Sequence, residues 1–209
     1  MTNGPTGQRA NRPTGHLIAF EGLDQSGKQT QAERLLAAFR AAGRNAEFLT
    51  FPEYTTAIGE EIGRALRGER EYQPDTLQLL YIANRFEFRP RIEEWLAAGT
   101  MVVCDRYLAS SIAYGESQGV DAKWLSEIQH PLPQPSLTLF MDMSPAVSLT
   151  RKKADRDKFE RDMPLLGRVR ESYHRQSKRP DWIRLEGERD KDAVSADVIS
   201  AVRSRLGLL

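Results

Sequence analysis

The apolar positions of this chain come in short blocks separated by longer amphipathic stretches. Leu17-Ile18-Ala19-Phe20 is a compact apolar run ending in Glu21-Gly22, the pattern of a buried strand. From Thr30 to Ala42 the residues Ala32, Leu35, Leu36 and Phe39 recur at helical spacing, and Gly43 closes the stretch as a C-cap. Ala46 to Phe51 reads as a second strand, and Ile58, Ile62, Ala65 and Leu66 as a short helix. After a polar break from Gly68 to Pro74, a long helix is predicted from Asp75 to about Ala98. Met101 to Asp105 is the third strand, and helical material follows from about Leu108 to His130. Pro131, Pro133 and Pro135 form a rigid connection into a fourth strand, Leu137 to Asp142. A charged stretch from Arg151 to Asp162, a helix through Tyr173, a short strand from Trp182 to Leu185 and a last helix from Asp192 to Leu206 complete the chain.

Strands that alternate with helices pair in parallel through right-handed crossovers. The pattern therefore predicts an α/β fold with helices on both faces of a parallel sheet. Ligands of such sheets bind beyond the carboxyl ends of the strands, so the residues just after each strand carry the chemistry.

Composition narrows the picture. At 209 residues the chain fits one domain, predicted over 16–209, preceded by a disordered tail over 1–15 that is rich in Gly, Pro, Asn and Thr. Thirty basic residues against 29 acidic ones leave a net charge of +1, which gives no general attraction to nucleic acid or to an anionic membrane. No apolar run approaches the ~20 residues of a membrane helix. The one cysteine, Cys104, cannot close an internal disulfide, and the three histidines are scattered, without metal-ligand spacing. A soluble, cytoplasmic globular protein is the expectation.

The strongest local signal is Gly22-Leu23-Asp24-Gln25-Ser26-Gly27-Lys28, which fits G-x-x-x-x-G-K between a predicted strand and a predicted helix. Glycines let the backbone curl so that its amides face phosphate oxygens, the helix N-terminus adds its dipole, and Lys28 supplies a full charge. Gly22 to Lys28, with Gln29 and Thr30, are the candidate ATP-binding residues. One position departs from the motif: the residue after the lysine is usually Ser or Thr, whose hydroxyl binds Mg²⁺, and here it is Gln29. Thr30 lies about 100° further round the helix and does not simply replace it.

Further motifs follow in order: Phe51-Pro52-Glu53-Tyr54 after the second strand, Tyr81-Ile82-Ala83-Asn84-Arg85-Phe86-Glu87 in the long helix, and Asp105-Arg106-Tyr107 at the third strand's end. Ser110, Ser111 and Tyr114 come next, then Leu132-Pro133-Gln134-Pro135, then a basic stretch with Lys158-Phe159-Glu160. On residue type alone, Tyr81 is also compatible with plain core, Arg85 with an exposed helix charge, and Asp105-Arg106 with a structural ion pair. Taken together with the phosphate loop, the series resembles the thymidylate kinases, P-loop nucleoside monophosphate kinases, from about Leu17 to the C-terminal helix.

The resemblance implies a P-loop NTPase-type parallel five-stranded sheet with helices on both faces and a short lid over about 151–162. It implies transfer of phosphate from ATP to dTMP, with Mg²⁺ as cofactor and a homodimer as the assembly. It assigns roles as well. Asp24 lies near the sugar 3′-hydroxyl and the acceptor phosphate, Arg106 clamps that phosphate, and Lys28 holds the donor. Arg151 and Arg156 are candidates to close over the transferred group. Tyr81 stacks on thymine, Arg85 bonds its O4, and Ser110 and Ser111 lie near the base. Phe51 and Tyr54 join the substrate-binding set, and Tyr114 crowds C2′ against ribonucleotides. Asp105 is the first candidate near the metal, with Glu53 a weaker one. Tyr54, Ser136 and Lys158 depart from the family's commoner residues, and Tyr54 takes the place of an arginine that many members carry. Two other classes stay open on the sequence: a kinase acting on a different nucleotide, and a nucleotide-binding module without catalysis.

Overall fold

A computed structural model describes residues 15–151, 159 and 162–209. Most of the expected tail and most of the expected lid, including Arg156, Lys158 and Glu160, lie outside the described residues. The element order is β1 (His16–Glu21), α1 (Lys28–Ala41), β2 (Ala46–Thr50), α2 (Ala57–Leu66), α3 (Pro74–Ala97), β3 (Met101–Asp105) and α4 (Leu108–Glu116). It continues with α5 (Ala122–Gln129), β4 (Leu137–Asp142), α6 (Pro145–Arg151), α7 (Met163–Gln176), β5 (Trp182–Glu186) and α8 (Lys191–Leu206).

The strands form a five-stranded sheet in the order β2-β3-β1-β4-β5, with every pairing parallel. The fold is thus the α/β, P-loop NTPase-type sheet expected from the sequence. Alternate residues of each strand serve opposite faces. Ile18, Phe20, Val103, Leu139 and Met141 pack with α1 and α8 on one side. Leu17, Ala19, Val102 and Cys104 face Ile92 of α3 on the other. Phe140 and Leu23 join α4 and α7 in a third apolar cluster. Gly15, read from sequence as the tail's last residue, is buried and its amide donates to Leu96 O at 2.9 Å.

Two local differences from the sequence pattern have physical causes. The helical material after Leu108 breaks into α4 and α5. Gly119 sits at φ +88°, a left-handed conformation that stops a helix, and Asp121 restarts one by accepting from the Trp124 amide at 2.8 Å. The short helix α6 precedes the charged stretch and had no periodic signal, because at seven residues it spans about two turns.

The fold also answers how α4 begins. Tyr107 stands at its N-cap and provides no side-chain acceptor. Glu21, the last residue of β1 and fully buried, supplies one from elsewhere in the chain. Its Oε1 accepts from the Tyr107 amide at 2.9 Å and the Ser110 amide at 3.3 Å. Its Oε2 accepts from Ser110 Oγ at 2.6 Å and Tyr173 Oη at 3.1 Å. A carboxylate at a helix N-terminus also meets the favourable end of the dipole. Glu21 thereby ties β1 to α4 and α7.

Two measurements check this arrangement. Glu21→Ala leaves buried donors unpaired and should destabilise the protein by about 2–4 kcal/mol in denaturant melts, with Glu21→Gln costing less because it keeps the shape and one acceptor oxygen. An unchanged midpoint for Glu21→Ala would contradict the capping role. Cys104 is fully buried, and burial with the nearby Glu21 charge pushes its thiol pKa up. It should resist a thiol reagent in the native state and react fully on unfolding; immediate native labelling would contradict the packing.

Candidate functional site

The sheet's topology changes direction at β1, which lies between β3 and β4, so the carboxyl ends of these strands open a crevice. The loop from Gly22 to Gly27 fills its centre. Gly22 has φ +141°, and a Cβ there would stand 2.5 Å from Met141 O, so no side chain fits. Gly27 has φ +89° and forms the N-cap of α1 without a side-chain bond. Gln25, exposed, holds φ +62°. Lys28 is buried and its Nζ donates to Leu23 O at 2.6 Å, curling the loop around the ammonium. Burial and the Arg106 charge lower the Lys28 pKa, against the pull of Asp105 and Asp24. Ser26 Oγ is buried with no hydrogen-bond partner in the loop. Gln29 and Thr30 are exposed, and Gln29 Nε2 donates to Glu33 at 2.9 Å.

Beside this loop Arg106 adopts φ +62°, which turns its side chain from the end of β3 back over β1. Its amide donates to Phe20 O at 2.9 Å. Nη2 donates to Asp24 Oδ1 at 2.6 Å and Tyr114 Oη at 3.3 Å, and Nη1 donates to Ser110 Oγ at 3.1 Å and Tyr173 Oη at 3.4 Å. The guanidinium lies 5.3 Å from the Tyr114 ring centroid. The arginine therefore pairs with Asp24 across two loops, and the ion pair that sequence alone allowed with its neighbour Asp105 is not the one formed. Burial would raise the Asp24 pKa, but the Arg106 and Lys28 charges and the bonds from Arg106 and Tyr114 hold it well below the usual carboxylate range. Asp24 also raises the pKa of Arg106 in spite of that residue's burial. Asp105, next in line, has a buried Oδ1 without a hydrogen-bond partner.

A cavity of about 210 Å³ runs from this arginine toward α3. Tyr81, Arg85, Ser111 and Tyr114 line it, together with Phe51 and Tyr54 from the loop after β2. Arg85 is 2% exposed, so it is no surface helix charge. Its Nη1 donates to Ser111 Oγ at 2.7 Å and Tyr81 O at 3.2 Å, while its Nε is buried and unpartnered. Phe51 is buried and packs edge-on against Phe88, with ring centroids 5.8 Å apart. The Phe51–Pro52 peptide is cis.

Asn84 holds that loop to α3. Its Oδ1 accepts from the Glu53 amide at 2.8 Å, and its Nδ2 donates to Glu53 O at 3.2 Å and Thr56 Oγ1 at 3.0 Å. Gly59 permits the same turn, since a Cβ there would meet Glu53 O at 1.8 Å. The Glu53 carboxylate accepts from the Thr55 amide at 3.0 Å. On the other side of the phosphate loop a second hollow is lined by Ser26, Thr30, Arg151, Gly187 and Arg189. Arg151 Nη1 donates to Gln25 O at 3.2 Å, which brings the end of α6 to the loop.

Sequence reasoning named most of these residues and missed Glu21, Asn84 and Tyr173. Asn84 lay inside the Tyr81–Glu87 motif, and Glu21 directly preceded the phosphate loop. Tyr173 gave no local signal.

Comparison with known proteins agrees with the geometry. The family model for thymidylate kinase matches residues 20–198. The thymidylate kinase of Arabidopsis thaliana is 34% identical over 161 residues, which span 77% of this chain and 61% of that protein. The human thymidylate kinase is 32% identical over 187 residues, spanning 88% of each chain. The structure of thymidylate kinase from Candida albicans superposes with a TM-score of 0.77 at 27% identity, over 91% of this chain and 92% of that one. With its G-x-x-x-x-G-K loop and the match along its length, the chain belongs to the thymidylate kinase family of nucleoside monophosphate kinases.

Proposed function

We propose that this chain transfers the terminal phosphoryl group of ATP to dTMP, giving ADP and dTDP for dTTP synthesis. The carrying observation is the partly buried Arg106 guanidinium, fixed between Asp24, Ser110 and Tyr114 where the phosphate loop meets the cavity. A guanidinium fork matches a phosphate bidentately, and the adjoining cavity suits the attached nucleoside.

The nucleophile is a phosphate oxygen of dTMP. With a second pKa of about 6, that phosphate is mostly a dianion at neutral pH and needs no general base. Catalysis is then positioning and charge neutralisation. Lys28 exchanges its bond to Leu23 O for donor phosphate oxygens, and the loop amides and Ser26 Oγ add further donors. Asp24 orients Arg106 and meets the sugar 3′-hydroxyl. Arg151, and Arg156 in the lid, close over the transferred group and exclude water. Tyr81 stacks on thymine, Arg85 donates to O4, and Tyr114 crowds C2′.

Mg²⁺ belongs to the same proposal, and the donor set fits it. Asp105 offers an unpartnered buried oxygen near the phosphate loop, while Gln29 turns outward to Glu33. Mg²⁺ keeps several waters and asks for only one or two carboxylates beside the phosphates, whose developing charge it neutralises. Glu53, bonded to the Thr55 amide, is the more distant candidate. Among the described residues no helix is long and apolar enough to cross a membrane. The family resemblance supports a cytoplasmic homodimer.

The test is ADP release from ATP with dTMP, dUMP, dCMP or dGMP as acceptor. Transfer should be greatest with dTMP and require Mg²⁺. Preference for another acceptor would indicate a different nucleotide kinase, and no transfer at any Mg²⁺ concentration would favour a binding module. In a Mg²⁺ titration, Asp105→Asn should raise the requirement more than Gln29→Ala; the reverse order would overturn the metal assignment.

A further inference from the structure

Gln78 stands in the first half of α3, outside every motif that identifies the family, and is 1% exposed. Both its amide atoms, Nε2 and Oε1, are buried without a hydrogen-bond partner. An amide in that condition is costly, and native proteins retain few of them without cause. Gln78 also lines the same cavity as Tyr81 and Arg85. The three residues are spaced i, i+3 and i+7, so they occupy one face of α3, with Tyr81 between the two polar side chains. Gly115 permits this placement: a Cβ there would stand 3.1 Å from Gln78 Cγ.

We infer that Gln78 is a specificity-determining residue, whose amide hydrogen-bonds the N3–H and O2 of the acceptor's pyrimidine ring. The inference rests on the dTMP reading above. A ring lying on Tyr81 has Arg85 toward one end of the helix face and Gln78 toward the other. Thymine presents an acceptor, a donor and an acceptor in sequence along its O4, N3 and O2 edge. Arg85 has only donors and takes O4. A primary amide presents a donor and an acceptor side by side, so Oε1 accepts from N3–H while Nε2 donates to O2. The same side-by-side pairing lets Asn and Gln read base edges elsewhere. At the same edge cytosine presents two acceptors, N3 and O2, which one amide satisfies in neither orientation, so Gln78 adds to the discrimination that Arg85 makes at O4.

Binding of dTMP, 2-thio-dTMP and 4-thio-dTMP to the parent and to Gln78→Met, measured by calorimetry without ATP, tests this. Sulfur accepts hydrogen bonds weakly. The parent should bind 2-thio-dTMP about fivefold to tenfold less tightly than dTMP, and Gln78→Met should bind the two alike. Both proteins should still discriminate against 4-thio-dTMP, through Arg85. The variant's Tm should not fall, since no protein partner is lost. If the 2-thio ratio is the same in both proteins, the amide packs or holds an ordered water and the inference is overturned. If the parent binds dTMP no better than unrelated nucleotides, the dTMP reading falls and this inference with it.

Discussion

The buried carboxylate of Glu21 ties the two halves of the site together. It ends the central strand, and its oxygens take donors from the start of α4 and from α7. Burying a charge costs several kcal/mol unless its lone pairs are occupied, and here four donors occupy them. Removing any of these elements therefore unsettles the others. The strand carries the phosphate loop, and α4 carries the serines and tyrosine that surround the clamp. In the proposed reading, donor and acceptor sites are thus built on one hydrogen-bonded junction.

Arg106 links that junction to the proposed function. Its left-handed backbone is uncommon for a residue with a side chain and is held by the amide bond to Phe20 O. Ser110 serves both sides, giving its hydroxyl proton to Glu21 and accepting from Arg106. The guanidinium is consequently held in place by protein partners alone, and under the proposed function that presetting would reduce the ordering required at the moment of reaction. Asp24 neutralises it meanwhile, and stays ionised through ordinary pH because the charges around it outweigh its burial.

The phosphate loop was legible in the sequence because its main determinants are local: Gly27 opening α1 and Lys28 curled under the turn to Leu23 O. The strands and long helices were legible from periodicity. Arg106, Arg85 and Tyr81 were legible only as a series of motifs, since each alone also suits a plain structural role. Glu21 and Tyr173 were not, because their meaning lies in contacts between residues 86 to 152 positions apart. Asn84 sat in view but its work, stapling Glu53 and Thr56, exists only once α3 meets the loop after β2. Gln78 was readable in principle from its spacing to Tyr81 and Arg85, although only the cavity distinguishes it from a core residue.

The central claim is that Arg106 is a preset receptor for the acceptor's phosphate. Calorimetric affinities of dTMP and thymidine for the parent and for Arg106→Ala test it most directly. The account predicts that the substitution weakens dTMP by about a hundredfold while thymidine binding barely changes, because only the phosphate-dependent part of the affinity is lost. Equal losses for dTMP and thymidine, or none for either, would contradict it.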